Sequence, residues 1–346
     1  MIRAERLGAG WLAAGVGAVV IATVAGVAAG PVSLAPLDVL RELLDHVPGV
    51  DVDSGLTDQQ AAIVWDLRMP RVVLGLLVGA MLAATGSSYQ GVFRNPLADP
   101  YLLGVAAGAG LGATLAIVSG ASTEVGFIGP LPLAAFAGAL AAVGLTYLLG
   151  AAGDRFRSPA ALILAGVAVA SFLTALQTYV QQRESETLRD VYTWLLGRLS
   201  TARWDEVRLL LPYAVLTAVV LLAHRRTLDV LSVGDEEAAA LGLHPKRTRL
   251  VVVVVASLGA AAAVAVSGLI IFVGIIVPHT IRLLAGSSYR VILPLSLLLG
   301  GAFLTGVDLL ARTVVAPAEL PLGVVTAFFG APFFALVLRS SRRATA

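Results

Sequence analysis

The side chains able to do chemistry are few in this 346-residue sequence, and their spacing points to ion pairing rather than to catalysis. There is no cysteine, which removes disulfides, thiolate metal sites and cysteine nucleophiles together. The four histidines stand apart at 46, 224, 244 and 279 and give neither HExxH nor any clustered metal-ligand spacing. The only lysine, Lys246, sits in GLHPKR, outside any GxxxxGK[ST] phosphate loop. What remains are arginines and carboxylates in short sets. Arg68 and Arg71 bracket RMPR, and Asp308 and Arg312 lie four apart in DLLAR, where one helix face lets them pair. Asp235, Glu236 and Glu237 open the run GDEEAAALG at 234–242. Charges placed this way recognise other charges or fix helix ends. No set combines acid, base and metal ligand, which argues against an enzyme.

The elements that must hold these residues are membrane helices. AVILMFWYC make up 58% of the chain and charged residues 13%, about half the ~25% usual for soluble domains. A water-soluble fold cannot hide that much apolar surface, so soluble enzymes, secreted modules and nucleic-acid binders are excluded. About 20 apolar residues cross a bilayer as a helix. Ten such stretches are predicted, at 8–30, 69–92, 98–119, 127–150, 159–181, 204–223, 250–267, 269–286, 291–312 and 321–339. The first follows Arg3 and Arg6, so a signal peptide competes with a span; its apolar length exceeds the ~7–15 residues of a signal core, which favours the span. The stretch 250–286 is nearly continuous, broken at Ser267-Gly268 and interrupted by Pro278. Recurrent small residues such as GVAAGAG (104–110) imply close helix packing.

Ten spans put both termini on one side. With the N-terminus inside, the inner segments carry 15 of the 24 basic residues and a net charge of +8, the outer segments a net −6. The excess of arginine and lysine inside favours that orientation. The cores of 8–30, 101–119, 125–150, 159–182 and 250–278 contain no Asp, Glu, Lys, Arg or His, whereas ion-coupled transporters and pumps carry such groups within their spans. Any uphill transport by this chain must draw its energy from a separate subunit. One inner segment is longer than most, HRRTLDVLSVGDEEAAALGLHPKRTR at 224–249. Asp235 is expected to cap a short helix and Gly242 to stop it. Two uses fit that helix equally: a surface element held by anionic lipid, or a docking knob for a cytoplasmic motor.

The ordered motifs resemble the FecCD/BtuC-like permeases, the membrane subunits of binding-protein-dependent ABC importers for iron–siderophore complexes, haem and cobalamin. The segments that carry the resemblance are RMPR (68–71), LVGAMLAATGSSYQGVFRNPLADPYLLGVAAGAG (77–110), LILAGVA (162–168), GDEEAAALGL (234–243), SGLIIFVGIIVPHTIRLLAG (267–286), DLLAR (308–312) and AELPLGVVTAFFGAPFF (318–334). The resemblance covers nearly the whole chain. It implies an all-α polytopic membrane protein of the BtuC-like type II importer class: one permease domain over 1–346, with ten transmembrane helices and a short cytoplasmic coupling-helix segment at 227–249. It also implies a bacterial cytoplasmic (inner) membrane location with both termini cytoplasmic. The implied partners are a second permease subunit, identical or a close paralogue, two cytoplasmic ATP-binding subunits, an extracytoplasmic substrate-binding protein and membrane lipid. No cofactor, no metal site and no nucleic-acid partner is implied.

By the same resemblance, Arg68, Arg71 and Arg312 dock glutamates of the binding protein; the alternative is that Arg68 and Arg71 anchor a helix end and Arg312 pairs with Asp308, and three arginines on an otherwise acidic outer face favour docking. Asn95 and Leu97 belong to a cytoplasmic gate, with Leu97 an apolar constriction, while Asn95-Pro96 alone is a turn signal. A second gate layer falls at Ser158, Pro159 and Ala160, where a cobalamin-type permease carries small hydroxyl residues and this chain departs from that pattern. Gly234, Asp235, Glu236, Ala239, Leu241 and Gly242 form the segment coupled to the ATPase. The expected activity is passage of a chelate through a non-enzymatic path driven in trans, ferric siderophore first, then haem, then cobalamin. The alternative class is an ion-coupled secondary transporter of a small solute, against which the charge-free spans argue.

Overall fold

Hydrocarbon offers no partner to a backbone N–H or C=O, so the apolar runs close their hydrogen bonds internally as helices. A computed structural model of the chain describes residues 7–30, 32, 34–47, 49–50, 52–121, 129–151 and 159–343, and among these no strand occurs. The chain begins with α1 (Ala9–Ala28) and α2 (Pro36–Asp45). The short α3 (Asp58–Ala62) runs through a π turn, Ile63–Arg68, into α4 (Met69–Phe93). Then come α5 (Val105–Val118), α6 (Pro130–Ala151), α7 (Pro159–Arg183), α8 (Leu188–Leu195) and α9 (Trp204–Ala223). On the other side of α9 lie α10 (Arg225–Val233) and α11 (Asp235–Ala240), followed by α12 (Pro245–Ser267), α13 (Val273–Ala285), α14 (Tyr289–Thr313) and α15 (Leu322–Arg343). Seven of these helices are long and apolar enough to cross a membrane, and α5, α13 and α15 supply three shorter apolar stretches. The protein is thus an all-α, multi-pass membrane protein.

Each predicted stretch has its helix, with three informative shifts. The stretch 98–119 becomes helical only at Val105, because Pro96 and Pro100 lack an N–H and Gly104 adopts a left-handed φ of 83°. The stretch 269–286 begins at Val273: Gly268 (φ 69°) and Phe272 (φ 68°) turn the backbone away from helix between α12 and α13. The stretch 250–267 starts earlier, at Pro245, since proline suits a first helical turn and PKRTR simply continues the helix outward. Of the stretch 127–150, residues 127 and 128 lie outside the described residues. The sequence reading did not anticipate α2, α3, α8 or α10.

α4 is the axis of the bundle. In its most apolar window 78% of residues are buried, against 22% for α1 and 28% for α7, which turn broad faces outward. Leu74, Val78, Met81, Leu82 and Tyr89 join the main core with residues of α9, α12, α13 and α14. Two glycine contacts make the close approach possible. A Cβ on Gly79 would overlap the Gly300 carbonyl of α14, and one on Gly86 would overlap the Gly274 carbonyl of α13. Without a hydrophobic drive between helices in lipid, such backbone-to-backbone packing supplies much of the association.

Candidate functional site

Charged residues collect at the two ends of α4. At its N-terminal end the π turn finishes on Arg68, which is 6% exposed. Its guanidinium donates to the carbonyls of Val27 (2.6 Å), Ala28 (2.9 Å) and Val32, so it satisfies the orphan carbonyls where α1 ends. Arg68 is therefore not freely presented on this face: Nη1 and Nη2 are engaged by backbone carbonyls and its position is interior. Arg71, in the first turn of α4, grips Asp308 of α14 with Nε (3.0 Å to both carboxylate oxygens) and Nη2 (2.8 Å). Its outer edge holds Glu319, at 2.8 Å from Nη1 and 3.0 Å from Nη2. Arg71 holds the Glu319 carboxyl below the usual carboxylate range by this hydrogen bonding and by its charge. The Asp308–Arg312 pairing read from their four-residue spacing is present but loose, at 3.6 Å, and Arg312 donates instead to the Gly26 carbonyl of α1. Asp308 thus belongs chiefly to Arg71, across 237 positions of sequence. The five side chains leave one net positive charge, beside a cavity of about 770 Å³ lined by Arg68, Arg71, Arg312, Ala316, Pro317 and Glu319.

At the other end α4 stops on Arg94, whose left-handed φ of 50° turns the chain. The turn signal at Asn95-Pro96 is realised: the Asn95 side chain accepts the Leu97 N–H at 3.0 Å, and Asp99 does the same for Tyr101 at 2.8 Å. Tyr101 then donates its hydroxyl to the Ile270 carbonyl at 2.8 Å, joining this turn to the α12–α13 break. Asn95 and Leu97 are half-buried. Of the second proposed gate layer, Ser158 lies outside the described residues, Pro159 opens α7, and Ala160 is exposed on that helix.

The segment 234–242 forms α11 as the sequence suggested, with one correction. Asp235 does not cap it; Gly234 (φ 153°) is the N-cap, and no side-chain hydrogen bond caps the helix. The stop is a Schellman arrangement: Gly242 (φ 83°) donates to Ala239 at 2.9 Å and Leu243 donates to Ala238 at 3.0 Å. Ala238 is fully buried, whereas Glu236, Ala239, Gly242 and Leu241 (72% exposed) face outward.

Sequence reasoning missed several residues that tie this end together. Asp229 of α10 accepts the Tyr289 N–H (2.6 Å) and the Ser288 hydroxyl (2.8 Å), which holds the start of α14. Arg282 bridges Gln90 (3.1 Å) and the Tyr289 hydroxyl (3.3 Å). Glu319, Arg94 and Arg249 were also passed over. Their only signal was a charge inside or beside a motif, and pairing over such sequence distances has no local signature.

Comparison with known proteins gives the arrangement its relatives. The chain is 44% identical over 285 residues to a cobalamin import system permease of Halobacterium salinarum, covering 82% of this chain and 75% of that one. It is 38% identical to the hemin transport system permease of Yersinia pestis, over 80% of this chain and 83% of the relative. Against the Fe(3+) dicitrate transport system permease FecD of Escherichia coli the identity is 37%, over 82% of this chain and 88% of the relative. A solved metal-chelate type ABC transporter in an inward-facing conformation superposes with a TM-score of 0.82 at 30% identity, covering 95% of this chain and 98% of that one. The FecCD transport family model matches residues 18–340, and the chain belongs to that family.

Proposed function

We propose that this chain is the permease subunit of a binding-protein-dependent ABC importer and forms half of a translocation path for a bulky metal chelate. The observation that carries the reading is the separation of charge from path. The apolar cores named above hold no ionisable relay for a driving ion, while charged clusters sit at both ends of α4. Energy then enters at the inner end, where Glu236, Ala239, Leu241 and Gly242 present a small, exposed surface to an ATP-binding subunit. At the outer end the Arg71–Glu319 rim receives a substrate-binding protein, and Arg68 and Arg312 back that docking face from beneath, each tied to carbonyls at the end of α1. Asn95 and Leu97, with the layer at Ser158, Pro159 and Ala160, are read as the inner gate of a two-fold permease dimer in the cytoplasmic membrane, both termini inside. The relatives named above transport cobalamin, hemin and ferric dicitrate by their names, which supports the chelate class. Ferric siderophore remains the first cargo proposed, then haem and cobalamin.

The test is reconstitution with the cognate ATPase and binding protein in proteoliposomes, offering a ferric hydroxamate siderophore, haemin and cyanocobalamin in turn. ATP-dependent uptake of one of them that is insensitive to a protonophore is the expected result. Uptake that proceeds without ATP and collapses with the proton gradient would move the protein to the ion-coupled class.

A further inference from the structure

Asp235 opens α11, yet its carboxylate is turned away from its own helix. Its Oδ1 accepts from Arg94 Nη2 at 3.1 Å, and its two oxygens accept from Arg249 Nη2 at 2.9 and 3.1 Å. One carboxylate therefore joins three elements: α11, the end of α4 that leads into the Asn95–Leu97 turn, and the first turns of α12. The two arginines differ in setting. The Arg249 side chain is 7% exposed, whereas that of Arg94 is 37% exposed and stands on a left-handed backbone position. A six-residue helix has no stability of its own and moves with whatever holds it. Ala238 is its only fully buried residue, so the ion pairs are its principal directional attachment to the bundle.

We propose that Asp235 is a positioning residue which transmits movement of α11 to the gate turn through Arg94 and to α12 through Arg249. This rests on α11 being the motor contact, and it assigns Asp235 to the bundle side of that contact rather than to the motor side. A charge-assisted hydrogen bond holds direction as well as distance, so a push on α11 is carried into the residue that immediately precedes Asn95.

The experiment uses the full complex in proteoliposomes with whichever of the three chelates the unaltered complex takes up, and reads chelate imported per ATP hydrolysed. Arg94→Ala is expected to lower that ratio at least ten-fold while ATP hydrolysis by the assembled complex stays within two-fold. Arg94→Lys should recover part of the ratio. Asp235→Asn, which also releases Arg249, should lower the ratio at least as much, and the double variant should be no worse than Asp235→Asn alone, because Arg94 acts only through Asp235. If Asp235→Asn does not assemble, the two Arg94 variants decide the matter alone. An unchanged ratio in Arg94→Ala, or losses that multiply in the double variant, overturns the link and leaves α11 coupled by other contacts. Absence of ATP-driven uptake by the unaltered complex overturns instead the functional reading on which the link rests.

Discussion

Replacing Asp308 by asparagine removes one negative charge from a place where two guanidiniums depend on it. Asp308 is 2% exposed at its side chain, Arg71 12% and Arg312 7%, so none of the three is well hydrated. Removing one partner of a buried pair costs about 3–5 kcal/mol, mostly from the charge left behind. Here two charges are left behind, with only Glu319 to answer them, which puts Asp308→Asn in the upper half of that range. About 4 kcal/mol is a ~1,000-fold change in the folding equilibrium. The control is Glu319→Gln. That carboxylate is 40% exposed, so its pair with Arg71 is screened by water and is worth at most about 1 kcal/mol. Purified protein in mixed micelles is titrated with SDS while tryptophan fluorescence is followed. Trp65 and Trp204, joined by a 2.8 Å hydrogen bond from the Trp204 indole to the Trp65 carbonyl, report on this end of the bundle. Asp308→Asn should shift the transition far more than Glu319→Gln. Equal shifts would mean that burial of charge does not hold α4 to α14, and the reasoning from exposure would fail.

Three further outcomes follow from the same geometry. Because Arg71 lowers the Glu319 carboxyl, the ionised form is the stabilised one. The stability difference between the unaltered protein and Glu319→Gln should stay constant from about pH 7 to pH 5 and vanish only as pH falls through the lowered value; a difference that disappears already near pH 6 contradicts this. Bulk at the exposed tip of α11, as Ala239→Trp or Gly242→Trp, should abolish transport and the response of ATP hydrolysis to loaded binding protein, leaving insertion and dimer formation normal by size-exclusion chromatography; at Gly242 the left-handed φ of 83° adds about 1–3 kcal/mol of local strain. Since the chain has no cysteine, Asp53→Cys and Ala240→Cys can be labelled singly in intact cells: the first should react with impermeant thiol reagents from outside, the second only after the membrane is opened, and the reverse pattern would invert the topology.

The apolar runs were legible in the sequence because hydrocarbon permits little besides helix, and their positions survive in all ten cases. Their ends were less so. The onset of α5 depends on the turns around Asn95 and Asp99, and the α12–α13 break on a left-handed Phe272, neither of which hydropathy registers. The charged residues show the limit most clearly. RMPR and DLLAR stood out, but which arginine meets Asp308 is decided by the packing of α4 on α14, and the four-residue spacing favoured the weaker partner. Asp235 was read as a cap because helix starts attract aspartate; two arginines on other helices compete for it and win. Gly242 was read correctly because its role is local, a left-handed stop that needs no distant partner.

α4 has a mechanical consequence of its own. Its 25 residues make a rod about 37 Å long with no proline beyond its first turn. Near its middle, Gly79 and Gly86 press backbone to backbone on α14 and α13, which leaves little room there for sideways travel. The end that carries Arg71 is fastened too, by the buried Arg71–Asp308 pair to α14. A rod held at one end and at its middle is a cantilever. The half of α4 that runs out to Arg94, whose pair with Asp235 is open to water, is the half left to bend.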